Sequence, residues 1–229
     1  MVIKENRSVV EPFAIKDCAL IAIATGKKAQ NLRELKDHLG IIDRNSIYYH
    51  FWGGLLRPRF DDPEYHNDFA IWIAHSLHNK ILAERLAVID PVEFETLDDL
   101  RNELIETIDE SLDETEFPTW AKRDDQFEFI RYQIVVFDTD NSIEDPADFI
   151  NTLPRISVGS IFYHFIDGRS RNSNSVDDFR NWLMSFGDRY ADLNYLIGEI
   201  CPYFTPLIKL REELTGVFAS YFQNEGSLK

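Results

Sequence analysis

The chain has 229 residues, 44% of them hydrophobic, and a formal net charge of −16. That length fits one large domain or two of about 100 residues each, and the apolar fraction is ample for a packed core. So negative a chain disfavours nucleic acid and anionic membranes, both of which attract basic surfaces.

Met1 to Val10 alternates charged and apolar residues and lacks the apolar core of a signal peptide. The first expected element is a buried strand that opens at Phe13-Ala14-Ile15, runs apolar through Cys18 to Ile23 and stops at Thr25-Gly26. The most apolar stretch, Cys18 to Ala24, is far too short to cross a bilayer. A helix over 29–39 should follow, since Leu32, Leu35 and Leu39 lie on one stripe. The segment Ser46 to Phe51, SIYYHF, reads as the next helix, capped by Asn45 or Ser46. A third helix is expected over 68–88, ending before Asp90-Pro91, and a fourth begins near Thr96 with Leu97, Leu100, Leu104, Ile105 and Ile108 inward. Asp113 to Pro118 reads as an acidic linker, with Trp120 pinning it to the surface.

The same order then recurs. Phe127 to Phe137 is a second strand, closed by turn residues at Asp138 to Asn141. Asp145-Pro146 opens a helix carrying Phe149, Ile150 and Leu153. Ser157 or Ser160 caps a second aromatic helix, Ser160 to Phe165 or SIFYHF. A third helix runs from Asp178 to about Ile200, and Leu207, Leu210, Leu214 and Phe218 line the fourth.

This recurrence is a duplication. SIYYHF returns at an offset of 114, with Gly54 and Arg57 falling on Gly168 and Arg171. Asp68-Phe69-x-x-Trp72 returns as Asp178-Phe179-x-x-Trp182, and Leu97-x-x-Leu100-Arg101-x-Glu103-Leu104 as Leu207-x-x-Leu210-Arg211-x-Glu213-Leu214. One supersecondary unit is used twice. The expected fold is α+β and mostly helical: two tandem β-α-α-α-α repeats over 13–112 and 127–222, a tail at 1–12, a linker at 113–126 and a tail at 223–229. A lone strand cannot satisfy its backbone, so the two strands should pair with one another or with extended terminal and linker segments; pairing with one another, the arrangement expected here, makes one pseudo-two-fold globule.

The duplication also singles out a polar set: Tyr49, His50, Arg57 and Asp68, repeated as Tyr163, His164, Arg171 and Asp178. Arginine offers a planar fork for phosphate or carboxylate, histidine a proton or a ligand nitrogen, and tyrosine a hydroxyl. On a functional reading these groups converge on a small anionic ligand, twice over. On a structural reading they hydrogen-bond one another and fasten helix to helix, with Asp68 and Asp178 as helix caps. Trp72 and Trp182 read as core anchors. His75 and His78 are three apart on one expected helix, but no four-ligand set accompanies them and no metal is expected. Cys18 and Cys201 lack metal-ligand spacing. No nucleotide-binding glycine loop, nucleophile elbow or zinc-protease helix is present, so neither a cofactor nor a catalytic residue is assigned.

Ile156 to Phe165, ISVGSIFYHF, resembles the turn and recognition helix of tetracycline-repressor-type regulators, which would place Ser157, Ser160, Tyr163 and His164 near DNA. Over its full length the chain is similar to a family of uncharacterised bacterial and archaeal proteins, a domain of unknown function. The residues Ile47 to Trp52, Leu56 to Tyr65 and Ile161 to Asp167 carry that resemblance. It implies a prokaryotic cytoplasmic protein and brings no activity with it. The expected function is a non-catalytic binding or regulatory protein taking a small anionic ligand or a protein partner. A DNA-binding regulator and an enzyme acting on a small anionic metabolite are the alternatives.

Overall fold

The structure, a computed structural model, describes residues 10–56, 64–114 and 119–227. It is α+β and mostly helical, with one two-stranded sheet of β1 (Phe13–Ala29) and β2 (Phe127–Ile143). The pairing is antiparallel. Thr25 Oγ1 donates to the carbonyl of Phe129 and Thr139 Oγ1 to that of Ile15, so β2 retreats as β1 advances.

Both strands outrun the sequence reading. Their extra length passes through a left-handed residue in each, Gly26 at φ 76° and Asp140 at φ 55°, where the sequence leads one to expect a turn. Aspartate visits this region more readily than most residues, and the Asp140 N–H donates to Asp138 Oδ1 at 3.3 Å. Nor is the first strand buried throughout: Phe13, Ile15, Cys18 and Ala29 are, whereas Ala19, Ile21 and Ala22 are exposed. A two-stranded ladder satisfies its inner backbone groups whether or not its faces are covered, so an apolar run need not signal burial.

The chain forms two compact units, and the division cuts both strands. The continuous unit is Ala19–Val135; the split unit joins the chain up to Cys18 with the chain from Val136 onward. Each therefore holds part of β1 and part of β2.

In the continuous unit, α1 (Leu32–Leu39) starts from an Asn31 cap, and α2 (Arg44–Trp52) from Asp43 rather than from Asn45 or Ser46. Ser46 is buried instead, and its hydroxyl donates to the Ile130 carbonyl of β2 at 2.8 Å. The long third helix is two: α3 (Asp68–Ser76) and α4 (Lys80–Ala87). The break falls at His78, in the left-handed region at φ 55°, and Asn79 caps the restart. Continuous apolar periodicity hides it, and His75 and His78 consequently do not share a helix. Helix α5 (Leu97–Asp113) opens with a Thr96/Asp99 capping box and buries Leu100, Leu104 and Ile108. Arg101 donates to the Ile42 carbonyl at 2.8 Å. Trp120 is 58% exposed, and linker residues 115–118 lie outside the described residues.

In the split unit, α6 (Phe149–Thr152) leads to α7 (Val158–Ile161), capped by Ser157. The aromatic segment continues as a π-helical stretch, Phe162–Asp167, into α8 (Gly168–Arg171). Helix α9 (Asp178–Met184) is separated from α10 (Ala191–Gly198) at Gly187, φ 67°. Helix α11 is Leu207–Ser227, and Arg211 donates to the Ile156 carbonyl at 2.7 Å.

Helix α7 lies very close to β1. A Cβ on Gly159 would fall 2.3 Å from Asp17 Oδ1 and 2.6 Å from the Cys18 carbonyl oxygen. The Cys18 thiol donates to Gly159 O at 3.3 Å, and burial together with Asp167 and Asp17 pushes its pKa up to about 12, so it is an inert packing group. Gly159→Ala should cost about 3 kcal/mol, because a strand carbonyl cannot step aside as a side chain can. Gly216→Ala is the control: nothing lies within 4 Å of that Cβ, and loss of the glycine should stabilise α11 by about 0.5–1 kcal/mol. Equal melting shifts for the two would refute the close approach.

Candidate functional site

His50 is 3% exposed and both its ring nitrogens are engaged. The Ile130 N–H donates to Nε2 at 3.1 Å, and Nδ1 bonds Asp68 Oδ2 at 2.9 Å. A backbone N–H can only donate, so Nε2 is the unprotonated nitrogen and Nδ1 carries the hydrogen. His164, also 3% exposed, is held alike: Lys16 N–H donates to Nε2 at 2.9 Å and Nδ1 bonds Asp178 Oδ2 at 2.8 Å. Lys16 and Ile130 stand at the same 114-residue offset as the two histidines.

Each imidazole is thus a clasp between a strand and a helix. Aromatic rings close around it: Phe127 lies 4.7 Å from His50 and stacks on Phe69, and Phe13 lies 4.8 Å from His164 and stacks on Phe179. Trp72 Nε1 donates to the Asp125 carbonyl and Trp182 Nε1 to that of Glu11, both at 2.7 Å, which anchors the approach to each strand.

Asp68 and Asp178, the caps expected from the sequence, do not cap their helices. Asn67 and Asp177 do so instead. The shift of one residue matters, since it frees the next carboxylate to meet the histidine.

Arg171 completes the set in the split unit. Its Nε donates to Asp167 Oδ2 and its Nη2 to Asp178 Oδ2, both at 2.7 Å, and Nη2 also reaches the Tyr163 carbonyl at 2.8 Å. The guanidinium lies 3.9 Å from the Tyr163 ring centroid. Burial would lower its pKa, but bonds and charge from Asp178 and Asp167 outweigh that and raise it. Burial would likewise raise Asp178, yet His164 and Arg171 hold it below the usual carboxylate range. Burial raises the Tyr163 hydroxyl against the opposing pull of Arg171. Asn172 Nδ2 donates to Asp178 Oδ1 at 2.9 Å, and a Cβ on Gly168 would fall 3.0 Å from that oxygen.

Arg57 lies outside the described residues; Tyr49 is buried with its ring against His50. The sequence reading missed Asp167, whose four-residue spacing to Arg171 was the available signal. It also missed Lys16 and Ile130, which act through backbone groups and leave no side-chain signature. Residues Ser46–Trp52 and Ser160–Gly168 are buried throughout, so neither aromatic helix presents those side chains to a DNA groove.

The continuous unit also has an open cleft of about 330 Å³ beside its clasp, lined by Asp68, Trp72, His75, Ser76, Asp125 and Glu128 among others. His75 Nδ1 donates to the Ile71 carbonyl at 2.9 Å. Glu128 pairs with Lys28. By sequence offset, Ser76 corresponds to Phe186, and that ring packs 4.9 Å from Trp182.

The model of a family of unknown function, DUF5752, matches residues 10–219. The chain belongs to that family. This DUF5752 chain is also similar to the solved structure of OrfY from Thermoproteus tenax, with 25% identity, a TM-score of 0.78, and coverage of 92% of this chain and 95% of that one. No curated protein matches it. None of its described helices is long and apolar enough to cross a membrane.

Proposed function

We propose that this DUF5752 chain is a non-catalytic binding protein, built by duplication. Its repeated His/Asp pair fastens strand to helix in both units, and the continuous unit carries a ligand cleft. The observation that carries this reading is the commitment of both ring nitrogens of His50 and His164. An imidazole whose lone pair accepts a strand N–H cannot serve as a base without giving up that bond. The two clasps use matching positions of the duplicated sequence, the histidines and their strand N–H partners 114 residues apart and the aspartates 110 apart.

Arg171 is spent on protein partners, which argues against a small anion at that copy. The cleft suits a different ligand. Its described ionisable lining is Asp68, Asp125, Glu128 and the histidines, with the Trp72 indole at its wall, a surface that accepts hydrogen bonds and favours positive charge. A small organic cation is therefore the ligand class proposed, in a protein that works in the cytoplasm.

Ser76→Phe tests it. The corresponding Phe186 is already accommodated against Trp182, so the variant should fill the cleft while melting within a few degrees of the parent. Methylguanidine or putrescine should raise the parent's melting temperature and alter its tryptophan emission, and both effects should vanish in Ser76→Phe. A response to inorganic phosphate but to neither cation would restore the anionic-ligand reading. No response to any probe would remove the cleft as a site.

A further inference from the structure

Asp177 is fully buried, at 0% exposure, in the split unit. Its Oδ1 caps α9 by accepting the Arg180 N–H at 2.9 Å. Its Oδ2 is equally buried and, among the described residues, meets no hydrogen-bond donor. A carboxylate oxygen sealed from water without a donor is a costly arrangement, and a neutral carboxylic acid there costs far less.

The continuous unit supplies the comparison. Asn67 occupies the corresponding cap, one residue before Asp68 as Asp177 precedes Asp178. Its Oδ1 accepts the Ala70 N–H at 2.8 Å, and its Nδ2 donates to the Leu86 carbonyl at 2.9 Å. The cap position thus holds an acceptor on one side and a donor on the other. An ionised aspartate can fill only the first role; a protonated one has the hydrogen for the second.

We propose that Asp177 is a proton-binding site of the folded protein: its Oδ2 carries a hydrogen in the role of Asn67's amide, and losing that proton loosens the turn between α8 and α9. The charged groups around it are few. Burial dominates and raises its carboxyl to about 6, while the Arg180 N–H and the Arg169 and Arg180 guanidiniums pull the other way without overcoming it. Arg180 is itself engaged from α10, its Nε donating to Asn194 Oδ1 at 3.2 Å and its guanidinium lying about 3.0 Å from the Cβ position of Gly198. Arg169 lies over the Phe165 ring at 5.0 Å. Asp178, the next residue, is turned to His164 and Arg171.

The sign follows from linkage. Below about pH 4 the carboxyl is protonated in folded and unfolded chains alike and has no effect. Between about 4 and 6 the unfolded chain ionises first, so folding is progressively penalised, and above about 6 the penalty is full and constant. A carboxyl raised from its ordinary value near 4 to about 6 changes the unfolding equilibrium roughly 100-fold. Asp178 acts oppositely: its depressed value means that the His164 clasp weakens only as pH falls further.

The test is Asp177→Asn in the full chain, followed by thermal denaturation from pH 4 to 8. The variant should melt well above the parent at pH 7–8, and the gap should close between pH 6 and 4. A carboxyl carbon titration by NMR should place the Asp177 midpoint near 6 and, in the same range, show changes at the Arg169 and Arg180 resonances. Asp177→Ser, which keeps a capping oxygen without a buried charge, guards against an effect of asparagine alone and should narrow the pH dependence as well. A gap independent of pH, or a variant less stable than the parent at neutral pH, would overturn the proposal.

Discussion

His164→Ala should lower the stability of the split unit by on the order of 3 kcal/mol, and His50→Ala that of the continuous unit by a similar amount. Each change removes three things at once. The strand N–H of Lys16 or Ile130 loses its acceptor, the carboxylate of Asp178 or Asp68 loses a donor, and Phe13 or Phe127 loses the ring it packs against. An unsatisfied buried donor alone costs about 1–3 kcal/mol. Partial replacements separate the terms. Asn at either position should restore a donor to the carboxylate and Gln an acceptor for the strand, so both should fall between parent and Ala. Nitrogen chemical shifts should show the hydrogen on Nδ1, and the Lys16 and Ile130 amides should exchange slowly in the parent and faster in the Ala variants. Unchanged melting and exchange in both Ala variants would leave the clasp without energetic meaning.

The second large effect concerns where the chain can be cut. A fragment spanning 13–112 contains the first expected repeat whole, yet it lacks Phe127, Phe129 and Ile130, which meet His50 and its neighbours. A fragment spanning 19–135 keeps its part of both strands and every helix they serve. The first should be unfolded or aggregated, with its apolar helix faces uncovered; the second should be soluble and melt cooperatively. Circular dichroism and gel filtration of the two decide. If 13–112 folded while 19–135 did not, each strand would belong with the helices that follow it, and the division through the strands would be wrong.

Much of the helical layout was legible because helices are local. The leucine spacing of α1 and α5, the Ser157 cap and the repeated Asp-Phe-x-x-Trp all reflect contacts within a few residues, and they lie close to where the pattern put them. The breaks at His78 and Gly187 were not legible, since one left-handed residue interrupts a helix without interrupting its apolar periodicity. The helix caps were misplaced by a residue or two for a related reason. Asp, Asn and Ser are all capable caps, and tertiary contacts choose among them: Ser46 is drawn to the Ile130 carbonyl, and Asp68 and Asp178 to their histidines.

By itself the sequence determined the family and the helical character of the chain, because both rest on local residue patterns; it also singled out the recurring His and Asp positions. Only the tertiary structure decided what those residues do. Whether an imidazole faces a cleft or a strand N–H depends on a backbone group about 80 residues away for His50 and 148 away, Lys16 to His164, for the other. Backbone groups are the same in every residue, so no side-chain pattern announces them. The cleft is likewise a tertiary fact, lined by residues of α3 and of the chain from Asp125 to Ile130 that only the fold brings together.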